Sequence, residues 1–290
     1  MNYNDVTIGI VTFKSEKVIF DCLKSIKNIK KIIIFDNSND YKLKNLVKKR
    51  YPKIKFVTSK INLGFGEGSN KIINLAKTKY IFLLSPDTIL EKNCEKELIK
   101  NSKIIKNFSI ISPLAKENNY GFFNNKKINK KNFFFEVDYV KGFAMLLNKK
   151  KIIKIGMFDK NIFLYLEEID LCKRLIKQNQ KIYICKNANV IHIGAKSSNL
   201  GFEYEKCRNW HWVWSKVYFD KKYFGLYYVL KKYFFQLFGD ILKLIIFILL
   251  LNKAKIIITY LRLSGLLNSL LGNRSWYRPD LQNYISDLES

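Results

Sequence analysis

Along its first hundred residues the chain alternates between two hydrophobic periods. Continuous apolar runs rich in β-branched residues and phenylalanine, "VTIGIVTF" (6–13), "KIIIFD" (31–36), "IKFVT" (54–58) and "YIFLLS" (80–85), predict strands buried on both faces. Between them the apolar positions recur at helical spacing. Ser15 stands where a cap would start a helix whose Ile19, Cys22, Leu23 and Ile26 share a face; Leu43, Leu46 and Val47 mark a shorter helix, and Ile72, Ile73, Leu75 and Ala76 a third. This βαβαβαβ order predicts an α/β fold, a mostly parallel sheet flanked by helices on both faces. Ligands of such sheets bind beyond the carboxyl ends of the strands. Asp36, ending the second strand, and Asp87, just after the fourth, are expected at that edge, although either also suits the start of a turn.

The middle of the chain is less regular. Residues 115–136, "AKENNYGFFNNKKINKKNFFFE", are polar and aromatic without a period and read as a loop or flap. A strand is expected in "VDYVKGFAMLLN" (137–148), a helix over "EEIDLCKRLIKQN" (167–179), and separate strands in "KIYIC" and "ANVIHI". From about Glu203 the chain becomes helical and aromatic, and from Tyr223 to Leu271 strongly apolar with isolated lysines. The expected division is a domain over 1–202 and a C-terminal helical region over 203–290.

With 290 residues, 48% hydrophobic and 15% aromatic, the composition excludes a disordered protein. The formal charge of +28 would suggest a polyanionic partner or an anionic membrane surface. Arginine occurs only at Arg50, Arg174, Arg208, Arg262, Arg274 and Arg278, so the charge is almost all lysine, beside abundant Asn and Ile. Genomic base composition alone produces such a bias, and no nucleic-acid partner is expected. Cys22, Cys94, Cys172, Cys185 and Cys207 are scattered without a CxxC spacing, which points to reduced, buried thiols and a cytoplasmic setting. The N-terminal segment carries no basic stretch followed by an apolar one, in keeping with that setting.

Three segments could carry chemistry. "NLGFGEGSN" (62–70) follows the third strand and opens a helix, but its spacing is GxGxG and the first strand leads into a glycine-free "TFKSEK", which argues against nicotinamide or flavin binding. Its glycines either let backbone approach a ligand or make a tight turn. "NIFLYLEEIDLCKRL" (161–175) sets Glu167, Glu168 and Asp170 in the first turn of a helix, where acids complement the helix dipole. Asp170 and Arg174 have the spacing of an ion pair. The apolar "IFLYL" before these acids would bring them out of a buried segment, where a carboxylate can act as a general base. His192, in "VIHIGAKSS" (190–198), is either a hydrogen-bonded structural residue or a ligand; His211, in "RNWHWVW", reads as packing.

Taken in order, "TFKS", "DNS" (36–38), "NLGFGEGSN", "SPDT" (85–88), "VKGFAMLLN", "GMFDKNIFLYLEEIDLCKR" and "VIHIGAKSS" resemble family 2 glycosyltransferases, particularly the bacterial branch with rhamnosyltransferases of O-antigen and cell-wall assembly. The resemblance covers Val6 to about Ser198. It implies a GT-A fold, a Rossmann-like nucleotide-diphospho-sugar transferase architecture, and inverting transfer from a UDP- or dTDP-sugar to a glycan or lipid-linked acceptor in surface polysaccharide synthesis. On the donor side it implies that Asp36 contacts the nucleotide base, that Thr12 and Phe13 line the same pocket, and that Asn62, Gly64, Asn70 and Arg174 lie near the nucleotide. Asp87 matches the last acid of the metal motif and His192 a histidine approaching metal and diphosphate; Gly142 and Phe143 match the acceptor-side segment. Glu168 matches the usual base, with Glu167 and Asp170 as neighbouring catalytic candidates. Ser85 stands where many members carry the first acid of the metal motif.

The chemistry agrees with those roles. A sugar nucleotide already carries its leaving group, so the site must deprotonate the acceptor hydroxyl and neutralise charge on the departing diphosphate. One base and one Mg²⁺ or Mn²⁺ would supply both. The competing reading is a non-enzymatic basic module for nucleic acid or membrane lipid. A pyrophosphorylase is disfavoured, because "TFKSEK" lacks a Gly-rich, Arg-containing loop. In the C-terminal region "ILKLIIFILLL" (241–251) is shorter than the roughly 20 residues a bilayer span needs, and lysines at 231, 232, 243, 253 and 255 suit helices in a membrane interface. Peripheral contact with the inner face of the cell membrane is the favoured expectation; packing on the catalytic domain or as a homo-oligomer is the other.

Overall fold

The computed structural model describes residues 1–105, 107–115, 133–194 and 201–278. The chain forms two compact units, the first Met1–Asp159 with Glu167–Ser198, the second Lys160–Leu166 with Asn199–Ser290. A seven-residue loop ahead of Glu167 thus belongs with the C-terminal helices.

The first unit begins with β1 (Val6–Thr12), α1 (Glu16–Ser25), β2 (Lys31–Asp36), α2 (Tyr41–Arg50), β3 (Lys55–Thr58), α3 (Gly64–Leu75) and β4 (Tyr80–Leu84). Every residue of β1 is buried, as expected for a strand covered on both faces. β1 pairs in parallel with β2 and β4, and β2 with β3. The unit continues through β5 (Thr88–Leu90), α4 (Cys94–Ile104), β6 (Phe108–Ala115), β7 (Phe134–Glu136), β8 (Ala144–Asn148), α5 (Lys149–Lys154), α6 (Glu167–Lys177) and β9 (Lys181–His192). The sheet order is β3-β2-β1-β4-β8-β6-β9-β5, with β7 also on β9. β8 enters antiparallel between β4 and β6, so the parallel half is closed by a mixed half. One core cluster lies around Ile8, Ile34, Phe82 and Leu146, another around Ile72, Leu83, Met145 and Leu171.

The middle of the chain departs from expectation in three ways. The strand expected over 137–148 begins only at Ala144, because Gly142 and Phe143 are used in a turn. The two strands expected after residue 180 are one, β9, whose pairing with β6 jumps from Pro113↔Cys185 to Leu114↔Asn189; this bulge hides the continuity of the alternation. Of the segment expected to be a loop, residues 134–136 form β7, while 116–132 and the "AKSS" of 195–198 lie outside the described residues.

The second unit contains α7 (Gly201–Leu249) and α8 (Lys253–Leu270). α7 is broken at Gly225, whose φ of 85° and ψ of 171° are not helical. Asp220 Oδ2 accepts from both Lys232 Nζ and Tyr233 Oη at 2.7 Å. Thirteen residues would span about 20 Å in a straight helix, so the chain doubles back at Gly225 and the two arms of α7 pack side by side. Val213 and Val217 of the first arm, Val229 and Tyr233 of the second, and Leu266 of α8 share a core. A Cβ on Gly265 would lie 2.5 Å from the Trp210 carbonyl oxygen, which explains the glycine at this crossing. His211 is fully buried beside Phe163 with Nε2 2.8 Å from the Tyr277 carbonyl oxygen, in agreement with a packing role.

Candidate active site

Four connections leaving the carboxyl ends of β1, β2, β3 and β4 gather at one edge of the first unit. After β2, Asp36 is completely buried. Its Oδ1 accepts the hydroxyls of Thr12 and Ser38, both at 2.8 Å, and its Oδ2 the amides of Ser38 at 3.2 Å and Asp40 at 2.9 Å. Thr12 is buried with it. Every lone pair of the Asp36 carboxylate is taken up in building the turn, and Phe13 and Ser38 beside it are half-buried. Asn37, which the sequence reading did not single out, donates to the Gly64 carbonyl at 3.0 Å and accepts from the Leu63 amide at 3.1 Å, tying this turn to the start of α3.

Of the two uses open to the glycines of "NLGFGEGSN", Gly64 shows the tight turn. Asn62 Oδ1 accepts the Gly64 amide at 3.0 Å, and Gly64 takes a φ of 82° that only glycine adopts without strain. Gly66 and Gly68 make room for protein, not for a ligand. A Cβ on Gly68 would come within 2.9 Å of Val11 Cγ1, and one on Gly66 within 3.3 Å of Phe158 Cβ and 3.5 Å of Glu167 Cβ. Asn70 is buried, its amide donating to the Phe158 carbonyl and accepting the Phe158 amide, both at 3.0 Å. It staples the 158 loop to α3.

α6 opens with the three acids, after Tyr165 and Leu166 adopt the left-handed φ values of 70° and 69°. The acids separate by environment. Asp170, fully buried, pairs with Arg174 at 2.8 Å, and Arg174 also donates to the carbonyls of Ile155 and Met157. The pair holds the 155–157 turn. Glu167 is buried against Gly66 with Oε2 lacking a hydrogen-bond partner. Burial pushes its carboxyl well above the usual carboxylate range, and the neighbouring Glu168 charge pushes it the same way. Glu168 is half-buried. Burial raises its carboxyl too, while the amides of Glu168, Ile169 and Gly142 and the Lys141 charge oppose the rise. Tyr139 lies close enough for the Glu168 charge to raise its phenol, after burial as the larger cause. Lys141 and Tyr139 were missed in the sequence because nothing in a turn segment marks which side chains will face a carboxylate.

Gly142 and Phe143 join this acid to the rest of the edge. A Cβ on Gly142 would lie 3.8 Å from Glu168 Cβ and 3.4 Å from Phe65. The Phe143 carbonyl accepts the Ser85 amide at 2.8 Å and the Thr88 hydroxyl at 3.2 Å, clamping the "SPDT" turn. The Phe143 ring stacks on His192 with centroids 4.6 Å apart. The β5–β9 pair, with Thr88 opposite His192, then brings His192 Nε2 to 3.5 Å from Asp87 Oδ1. Asp87 is 2% exposed, and its Oδ1 and the Nδ1 of His192 have no hydrogen-bond partner. A buried carboxylate oxygen left unpaired is costly unless something fills its coordination. Among the described residues no group of three or more His, Cys, Asp or Glu could hold a metal by itself. Asp87 and His192 fit two positions of a shell whose remaining ligands come from elsewhere.

The fold and this edge define a glycosyltransferase of the GT-A class. Residues 7–168 match the model of glycosyl transferase family 2, and the chain belongs to that family. It is 26% identical over 210 residues to the low-salt glycan biosynthesis hexosyltransferase Agl10 of Haloferax volcanii, covering 65% of this chain and 67% of that protein. It is 25% identical over 212 residues to the rhamnosyltransferase WbbL of Escherichia coli, covering 62% of this chain and 78% of the relative. Among solved structures, GalNAc-T7 with UDP, GalNAc and Mn²⁺ superposes with a TM-score of 0.55 at 12% identity. The match covers 73% of this chain and 50% of GalNAc-T7, and carries the fold alone.

Proposed function

We propose that this glycosyltransferase inverts the anomeric centre of a hexose-class sugar as it moves it from a nucleoside diphosphate to a hydroxyl of a glycan or lipid-linked acceptor. The observation that carries the reading is the Gly142–Phe143 turn, with Glu168 against one end and the Asp87–His192 pair against the other. In a single displacement the acceptor oxygen bonds to the anomeric carbon, its proton passes to the Glu168 carboxylate, and the bond to the diphosphate breaks with its electron pair on the leaving oxygen. A carboxyl whose proton affinity is raised by burial and restrained by Lys141 and three amides, on a half-buried side chain, suits a base that must accept that proton. Glu167, with no outlet from its packing on Gly66, suits a role in shaping the pair. Asp87 and His192 would hold a Mg²⁺ or Mn²⁺ whose Lewis acidity neutralises the leaving diphosphate, and Ser85 adds no third charge. Phe13 and Ser38, half-buried in the β1 and β2 turns beside Thr12 and Asp36, are the groups that would meet the nucleoside.

The relatives, a hexosyltransferase of glycan synthesis and a rhamnosyltransferase, favour a UDP- or dTDP-hexose donor, rhamnose included, and an acceptor in surface polysaccharide assembly, O-antigen or cell wall. The reaction belongs in the cytoplasm, where sugar nucleotides are made. The test is donor hydrolysis and transfer with a panel of sugar nucleotides, with and without Mn²⁺. Transfer by wild type that Glu168→Gln abolishes while donor binding persists supports the reading; undiminished transfer by that variant removes Glu168 from the role. Unchanged donor affinity on Asp87→Ala would remove the metal role.

A further inference from the structure

The second unit carries a surface that its own core does not use. From Gly225 onward the second arm of α7 buries Val229, Tyr233 and Asp240 against the bundle. On the opposite side Tyr227, Phe235, Phe238, Leu242, Ile245 and Leu249 are each at least half exposed, at 82, 80, 57, 60, 50 and 77%. Their spacing puts them within about a quarter of the helix circumference. Leu250, Leu251, Ile257, Tyr260 and Leu267 continue the exposed apolar surface through the bend into α8. A helical face of this size is far beyond the scattered apolar residues of an ordinary protein surface.

Its charges say what covers it. Between residues 226 and 271 the only acid is Asp240, which is buried and lies 3.8 Å from Lys243 Nζ and 3.9 Å from Arg262 Nε. The exposed charges are Lys231, Lys232, Lys243, Lys253 and Lys255. A two-fold interface between copies would set this lysine-bearing face against itself with no exposed acid to answer it. Lys232 is already paired with Asp220 and Lys243 lies beside Asp240; an anionic surface answers Lys231, Lys253 and Lys255. No helix among the described residues is long and apolar enough to cross a membrane, and the run 241–251 extends only about 16 Å.

We infer that the second arm of α7 and the start of α8 form a monotopic anchor that lies in the interface of an anionic bilayer, apolar face inward, with Lys231, which sits within that face, reaching the headgroups through its long side chain. The inference stands on the second unit alone and does not depend on which sugar is transferred. The test is vesicle flotation of the full chain. With phosphatidylcholine vesicles containing about one-third phosphatidylglycerol the chain should float, and each lysine near the surface should strengthen partitioning about fivefold, an effect lost at high salt. Phe235→Glu/Leu242→Glu, at exposed positions, should reduce flotation at least tenfold while circular dichroism and the elution volume of the monomer stay unchanged. Lys231→Gln/Lys243→Gln should lower binding to anionic vesicles and leave weak binding to neutral ones unaffected. Equal flotation of the Glu variant and wild type would overturn the inference. So would failure of wild type to float together with sedimentation as a dimer that Phe235→Glu/Leu242→Glu dissociates, which would assign the face to a second copy.

Discussion

Two adjacent glutamates with the same intrinsic acidity acquire different uses because one is sealed and the other is not. Glu168 is half-buried, with its carboxyl raised by burial and restrained by Lys141 and three amides. On the proposed mechanism Glu168→Gln lowers kcat by about 10²–10⁴-fold with little change in donor binding, measurable by single-turnover transfer beside donor titration. The active form is the carboxylate, so the rate rises with pH through a value above the ordinary range for Glu, and a rate-pH profile should show that displaced acid limb. Glu167 makes the opposite kind of prediction. Its folded-state pKa is raised, so its contribution to stability is greatest below the ordinary carboxylate pKa and is lost as pH rises through the folded value. Glu167→Gln should therefore raise the thermal midpoint by a few degrees at pH 8, an advantage that fades at pH 4; an unchanged midpoint at pH 8 would show that the orphaned Oε2 costs nothing.

At the scale of elements, the edge is held by side chains that fasten one segment to another. Asn70 satisfies both backbone groups of Phe158 and so fixes the segment that leads from β8 and α5 toward the acids of α6. Asn70→Ala leaves a buried amide and carbonyl unpaired and should cost about 2–4 kcal/mol, seen as a lower chemical-denaturation midpoint. Gly68→Ala places a methyl 2.9 Å from Val11 Cγ1 and should cost about 1–3 kcal/mol by overpacking α3 on β1. A donor-contact role for Asn70 would instead lower donor affinity with stability intact.

Over the whole molecule, the two units carry titrations of opposite sign. His211 in the second unit is buried among Phe163, Trp210 and the Tyr277 carbonyl, and burial pushes its pKa down to about 3. A depressed histidine contributes stability above its ordinary value near 6.5, and that contribution is lost as pH falls toward 3. Trp210 and Trp214 flank this histidine in the second unit, so their fluorescence should report melting at progressively lower temperature as pH drops from 7 to 4. His211→Phe should flatten that dependence, unless the substitution overpacks the site and lowers the midpoint equally at all pH values.

What could be read in the sequence was whatever depends on local period and order. The β-branched runs from Val6 to Leu84 delimit four strands nearly to the residue, since a strand covered on both faces tolerates only apolar side chains. The ordered motifs carried the family, and the apolar tail with lysines carried the character of the second unit. The sequence was silent wherever an outcome depends on what lies opposite. The bulge in β9, the entry of β8 between β4 and β6, and the reversal of α7 at Gly225 are pairings between segments far apart in the chain, which no local pattern encodes. Tertiary structure alone decided that Asp36 braces its own turn, that Asn70 fastens Phe158 to α3, that Asp170 pairs with Arg174, and that Asp87 Oδ1 has no hydrogen-bond partner beside His192. A carboxylate's chemistry is set by how many donors reach it and how much water is left, and both are counted only after the chain has closed around it.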